Sequence, residues 1–115
     1  MPYDVFLPEF FKGILKDLKK KYRSVSEDLK IALRLVVNNP DLGKTIQSFE
    51  DVKKLRVRNS DAQKGKRGGY RLIYFVDRSE RKIVPLLLYS KSHKTTVTKK
   101  ELKMLLSRLD QELSG

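Results

Sequence analysis

Between Lys53 and Arg71 stand eight basic residues, Lys53, Lys54, Arg56, Arg58, Lys64, Lys66, Arg67 and Arg71, against one acid, Asp61. Alternate side chains of an extended strand point to opposite faces, so Lys54, Arg56 and Arg58 share one face. A second β-prone segment brings Arg71 to the same parity, a third brings Tyr89, and continuing the pattern adds Lys91. Like charge at this density repels itself, and a phosphodiester chain is the simplest counter-ion. Cutting RNA through its own 2′-hydroxyl needs a proton acceptor, charge stabilisation on the phosphorane and a donor to the leaving 5′-oxygen. Lysine ordinarily titrates near about 10.4, and neighbouring cations favour its neutral form. Lys54 is therefore expected as the base or as an electrostatic element. Arg56 and Arg71 suit a phosphate clamp through the planar guanidinium fork. Tyr89 is placed to stack a base or to hydrogen-bond near the leaving group. Arg58, Lys64, Lys66, Arg67 and Lys94 extend the expected RNA contact.

Composition removes most other chemistries. The chain has 115 residues, the size of a single domain over 1–115. Lys and Arg number 26 and Asp and Glu 14, a net charge of +12 with a pI near 10.0, which points to polyanionic partners. Cysteine is absent, so disulfides, thiolate zinc sites and thiol nucleophiles are excluded. One histidine, His93, sits in a polar Ser-His-Lys stretch and reads as a solvated side chain. No metal or cofactor is expected. No run approaches the ~18 apolar residues of a membrane span, and no basic region precedes an apolar one at the N-terminus. The expectation is a soluble, cytoplasmic protein. Glycines at 65, 68 and 69 permit close backbone approach to phosphate, although Lys-Gly-Lys-Arg-Gly-Gly lacks the ending of a P-loop.

The elements that must position these groups follow from periodicity. Tyr3–Leu7 reads as a short strand stopped by Pro8, which suits the first turn of a helix. Leu7, Phe10, Phe11, Ile14, Leu15, Leu18 and Tyr22 recur at helical steps with Lys12, Lys16, Lys19 and Lys20 on the wet side. Ser24-Val25-Ser26-Glu27 has the capping-box pattern, and Leu29, Ala32, Leu33, Val36 and Val37 follow at helical spacing until Asn38-Asn39-Pro40. A short turn between the helices implies an antiparallel pair. After a loop through Gly43 come three strands, around 52–58, 70–76 and 83–89. The first two are joined by the long glycine-rich stretch 59–69, the last two by a polar hairpin turn. Pro85 cannot donate to a ladder, so a bulge or an unpaired position is expected there. Thr98-Lys99-Lys100-Glu101 opens a last helix with Leu102, Leu105, Leu106, Leu109 and Leu113. The order β-α-α-β-β-β-α defines an α+β fold with a mainly antiparallel sheet.

Parity assigns Leu55, Val57, Leu72, Tyr74, Leu86 and Leu88 to the face that packs on the helical pair. Ile73, Phe75 and Leu87 share the cationic face and form its apolar floor, partly covered by the last helix.

Three blocks, Lys-Leu-Arg-Val-Arg-Asn-Ser-Asp (54–61), Lys-Gly-Lys-Arg-Gly-Gly-Tyr-Arg-Leu-Ile-Tyr (64–74) and Leu-Leu-Leu-Tyr-Ser-Lys-Ser (86–92), together resemble the RelE/ParE superfamily of bacterial toxins. The likeness is closest to its HigB-like branch, with a glycine-rich insertion before Tyr70. The resemblance implies a RelE-like fold and a ribosome-dependent endoribonuclease that cuts mRNA at the decoding site of the small ribosomal subunit. It also implies a tightly bound cognate antitoxin, with the toxin monomeric when free. The positions carried over are Lys54, Arg56, Arg71, Tyr89 and Lys91. Relatives of the RelE type have arginine where this chain has Ser92 and tyrosine near Thr98, which leaves Lys91, Lys94 or Tyr89 as the general acid. Two other functions share the fold or the charge. They are a ParE-like toxin acting on DNA gyrase and a non-catalytic RNA- or ribosome-binding module.

Overall fold

The computed structural model describes residues 2–61, 69–92, 94 and 96–114. Its elements are β1 (Asp4–Val5), α1 (Glu9–Lys21), α2 (Val25–Asn38), β2 (Lys44–Thr45), β3 (Val52–Val57), β4 (Tyr70–Asp77), β5 (Lys82–Ser90) and α3 (Lys99–Ser114). One sheet of order β1-β5-β4-β3-β2 holds all five strands. The β2–β3, β3–β4 and β4–β5 pairs are antiparallel and β1 runs parallel to β5, so the fold is α+β with a mixed, mainly antiparallel sheet.

Local chemistry explains most boundaries. Pro8 stands just before α1 and its carbonyl accepts from the amides of Phe11 and Lys12. Its own lack of an N–H costs nothing there. α2 ends at Asn38, two residues before Pro40. The Thr98–Glu101 capping box closes in both directions, from Thr98 N to Glu101 Oε1 (3.0 Å) and from Glu101 N to Thr98 Oγ1 (3.1 Å). The Ser24–Glu27 box does not form. The Ser24 amide, which Glu27 would have served, donates instead to Asp61 Oδ2 at 2.6 Å, and Glu27 pairs with Lys30. A carboxylate 37 residues away in sequence has taken the place of the local one.

The expected irregularity at Pro85 is present. The β4–β5 register shifts between Ile73, opposite Leu87, and Tyr74, opposite Pro85, leaving Leu86 as the extra residue. The bulge lets Pro85, which has no N–H to donate, sit in a central strand without leaving a carbonyl of β4 unserved. β2 is an element the sequence did not announce. Its two residues pair with Lys53 and Lys54 where a loop was expected.

Register confirms the division of faces. Leu55–Leu72–Leu88 and Val57–Tyr70–Ser90 are rungs of one face, and their residues are buried apart from half-buried Leu55. α1 and α2 lie on this side, contributing Phe10, Phe11, Val25, Leu29, Ala32 and Val36 to the core. Ile73 and Val84, on the other face, are buried as well, so that face also carries a covering layer. α3 adds Leu102, Leu105 and Leu109 to the core, and near its end Glu112 accepts from the amides of Glu9 and Phe10. A carboxylate on the first amides of α1 both satisfies them and complements the helix dipole. No helix among the described residues is long and apolar enough to cross a membrane.

Candidate nucleic-acid interface

Three of the candidate residues, Arg56, Arg71 and Tyr89, fall on one row of the sheet. Arg56 pairs with Arg71 across β3–β4, and Arg71 with Tyr89 across β4–β5. Cross-strand partners share a face, and strands lie about 4.8 Å apart, so the row spans roughly 10 Å. Lys54 occupies the next rung, with Ile73 and Leu87, about 7 Å along the strand. Lys91 is exposed in the turn after β5, where its amide donates to Gly69 O (3.2 Å). Arg58 is exposed just past β3. Lys64, Lys66, Arg67 and His93 lie outside the described residues.

Charge is left uncompensated along this row. Among the described residues Lys54, Arg56, Arg58, Arg71 and Lys91 take part in no ion pair; the acids pair with Lys12, Lys20, Lys30, Lys53, Arg78 and Lys94 instead. Two arginines directly opposite each other destabilise a bare sheet. Their retention without a carboxylate is what an anion-binding surface requires. Among the described residues the Arg71 guanidinium makes only a long bond, 3.4 Å, to the Tyr70 carbonyl.

Tyr89 closes the row from inside. Its hydroxyl is buried and without a hydrogen-bond partner among the described residues. Burial pushes its pKa up; Arg71 and Lys94 pull it down, while Glu101 raises it further. The net direction keeps the phenol protonated, a donor beside an arginine. Lys94 is not a free cation: it pairs with Glu101 at 2.6 Å. Lys94, followed by the Thr98 amide, holds the Glu101 carboxyl below its ordinary value of 4.5. A depressed carboxyl contributes stability that is present above the ordinary value and lost as pH falls through the folded one. Thermal melts should therefore show wild type ahead of Glu101→Gln at neutral pH, with the gap closing once pH drops below 4.5. A gap that persists in acid would mean the pair is not its source.

The Asn59-Ser60-Asp61 block anchors the end of β3 rather than touching the row. Asp28 Oδ2 accepts from Ser60 N (2.9 Å) and Ser60 Oγ (3.1 Å), and Asn59 Oδ1 from Asp61 N (2.9 Å). Asp28 and Asn59 are buried, so these bonds fix where the chain leaves the sheet before the basic stretch 64–67. At the return, a Cβ on Gly69 would stand 2.8 Å from the Val57 carbonyl; only glycine lets β4 start this close to β3. Tyr22 stands behind, edge-on to Tyr70, its hydroxyl 3.5 Å from Ser90 Oγ, which in turn lies 2.9 Å from Ser92 Oγ. The sequence reading did not single out this hydroxyl chain or Glu101 as a partner of Lys94. The Thr98-x-x-Glu101 box was the one available sign that a carboxylate would lie at the entrance to α3.

Among the described residues no three His, Asp or Glu side chains gather to hold a metal ion. The arrangement is thus an α+β sheet presenting a cationic, tyrosine-flanked row. No protein-family model matches the chain. A search of solved structures finds similarity to the Escherichia coli toxin RelE, a double arginine-to-alanine mutant in the free state. The two share 25% identity over 83% of this chain and 90% of that one, with a TM-score of 0.59. The chain therefore has a RelE-like toxin fold.

Proposed function

We propose that this chain is the toxin of a toxin–antitoxin pair and acts as a ribosome-dependent, metal-independent endoribonuclease on mRNA. The observation that carries the reading is the Arg56–Arg71–Tyr89 row without acidic partners; the similarity to the toxin RelE supports it. The glycine-rich stretch 64–69 favours a HigB-like member. In the reaction the ribose 2′-oxygen attacks the adjacent phosphorus and the bond to the 5′-oxygen breaks, giving a 2′,3′-cyclic phosphate and a 5′-hydroxyl. Lys54 takes the 2′-hydroxyl proton or stabilises the resulting charge. Arg56 and Arg71 hold the phosphorane oxygens. Tyr89, Lys91 or Lys94 returns a proton to the leaving oxygen, and Arg58, Lys64, Lys66 and Arg67 track the RNA backbone. Without a histidine pair, the ribosome must supply much of the alignment for in-line attack.

The test is purified ribosomes programmed with mRNA, with 5′ ends mapped after addition of the protein. New 5′-hydroxyl ends on ribosome-bound message, and none on free RNA, are expected; intact message would end the proposal. Tyr89→Phe separates chemistry from folding. Among the described residues the hydroxyl has no partner to lose, so melting temperature should hold or rise. Cleavage should fall by roughly 10²-fold or more, within the 10²–10⁴ range of acid–base contributions. Unchanged cleavage would assign the proton to a lysine.

A further inference from the structure

One buried serine holds the turn by which the chain leaves the row for α3. Ser90, the last residue of β5, is 3% exposed and lies on the rung of Val57 and Tyr70, on the side of the helical pair. Its hydroxyl stands 2.9 Å from Ser92 Oγ, accepts from Ser92 N at 3.4 Å and has the Tyr22 hydroxyl behind it at 3.5 Å. Its carbonyl accepts from Lys94 N at 3.1 Å, so the chain folds back after β5. Lys91 sits inside this turn. Its amide donates to Gly69 O at 3.2 Å, one step beyond the Tyr70–Ser90 pair, so the ladder continues for one more rung. Alternation keeps Lys91 on the face of Arg71 and Tyr89, about 7 Å further along the strand than Tyr89. Of the two lysines in the turn, Lys94 is engaged by Glu101 at 2.6 Å, while exposed Lys91 is in no ion pair among the described residues.

We propose that Ser90 is a positioning residue, whose buried hydroxyl, bonded to Ser92 and backed by Tyr22, holds Lys91 at the end of the Arg71–Tyr89 row, beside the phosphate to be cleaved. A lysine is a point charge on a flexible stem, and on a fraying strand end the freedom of the backbone adds to that of the side chain. Pinning the residues on both sides of Lys91 removes the backbone part, and a displacement of about 1 Å can cost about 10²-fold in rate. Ser90 does not reach the substrate itself, because its side chain lies on the opposite face of the sheet. Tyr89 needs no such support, since it is buried and pairs with Arg71 inside the ladder. The inference rests on the functional reading above and deepens it: it names what keeps one cation of the site in register with the two arginines.

The test is a double-mutant cycle in the ribosome assay. Ser90→Ala should lower kcat about tenfold and leave KM unchanged. Lys91→Ala should lower kcat by at least as much. The double variant should be no slower than Lys91→Ala alone, because Ser90 acts only through Lys91. Two losses that multiply, full activity in Ser90→Ala or an effect confined to KM would each overturn the proposal. Amide exchange followed by NMR on the free protein gives a readout independent of cleavage. Ser90→Ala should speed exchange at Lys91 and Lys94 about tenfold and leave the amides of Ile46 and Val76, bonded to the carbonyls of Val52 and Asp51, as in wild type. The fold should survive, since the exposed Ser92 hydroxyl can turn to water. Tyr22→Phe, which leaves Ser90 in place, should show the same exchange pattern to a smaller extent. Unchanged exchange at Lys91 in both variants, or faster exchange throughout the sheet, would also overturn the proposal. If wild type does not cleave, the functional reading fails while the exchange result still decides whether Ser90 holds this turn.

Discussion

Replacing Arg71 by alanine should lower ribosome-programmed mRNA cleavage by roughly 10²–10³-fold, the loss measured when one donor to a developing oxyanion is removed. Arg71 holds the middle of the row, opposite Arg56 on one side and Tyr89 on the other. Among the described residues its one side-chain hydrogen bond is long and runs to the adjacent carbonyl. Folding should therefore be nearly indifferent to its removal, and relieving the charge opposite Arg56 offsets the lost packing. The measurement is cleavage rate beside a denaturant melt on the same preparation. A cooperative transition with full activity would remove Arg71 from the reaction. A collapsed transition would mean it is structural.

Tyr74→Phe should produce the opposite pattern, a stability loss of about 2–4 kcal/mol. The Tyr74 hydroxyl donates to Pro40 O at 2.8 Å and accepts from Gly43 N at 2.9 Å, and the ring is wholly buried. Removing the oxygen leaves the buried Gly43 amide without its partner, at about 1–3 kcal/mol, and takes the donor from the half-buried Pro40 carbonyl as well. For a chain of this size that corresponds to a fall in melting temperature of roughly 10 °C or more. Burial pushes the Tyr74 pKa up, partly opposed by the Gly43 amide, so the hydroxyl remains a donor throughout the working pH range. The loss should therefore be flat from neutral to mildly alkaline pH. A drop below about 1 kcal/mol would show that Pro40 and Gly43 find other partners.

Much of the sheet was legible because its signal is local. Alternation alone separated Lys54, Arg56, Arg71 and Tyr89 from Leu55, Leu72 and Leu88, and the ladder keeps them apart. Pro85 announced its bulge because a missing amide is a property of one residue. What the sequence could not show depends on groups that meet only after folding. Asp61 reaches Ser24 from 37 positions away and displaces a capping box that was correct on local grounds. β2 is two residues long and exists because Gly43 and Tyr74 seat it against β3. The pairing of Lys94 with Glu101 was hidden for the same reason: both were visible, but not their distance.

The carboxylate of Glu112 on the first amides of α1, and the parallel seat of β1 on β5, join the two ends of the described chain. During synthesis α1 lacks its Glu112 cap, and β1 lacks its β5 partner, until those later residues have been made. A nascent or truncated product is thus left with a frayed first turn of α1 open to proteases. Quality control would clear such incomplete molecules in preference to finished ones.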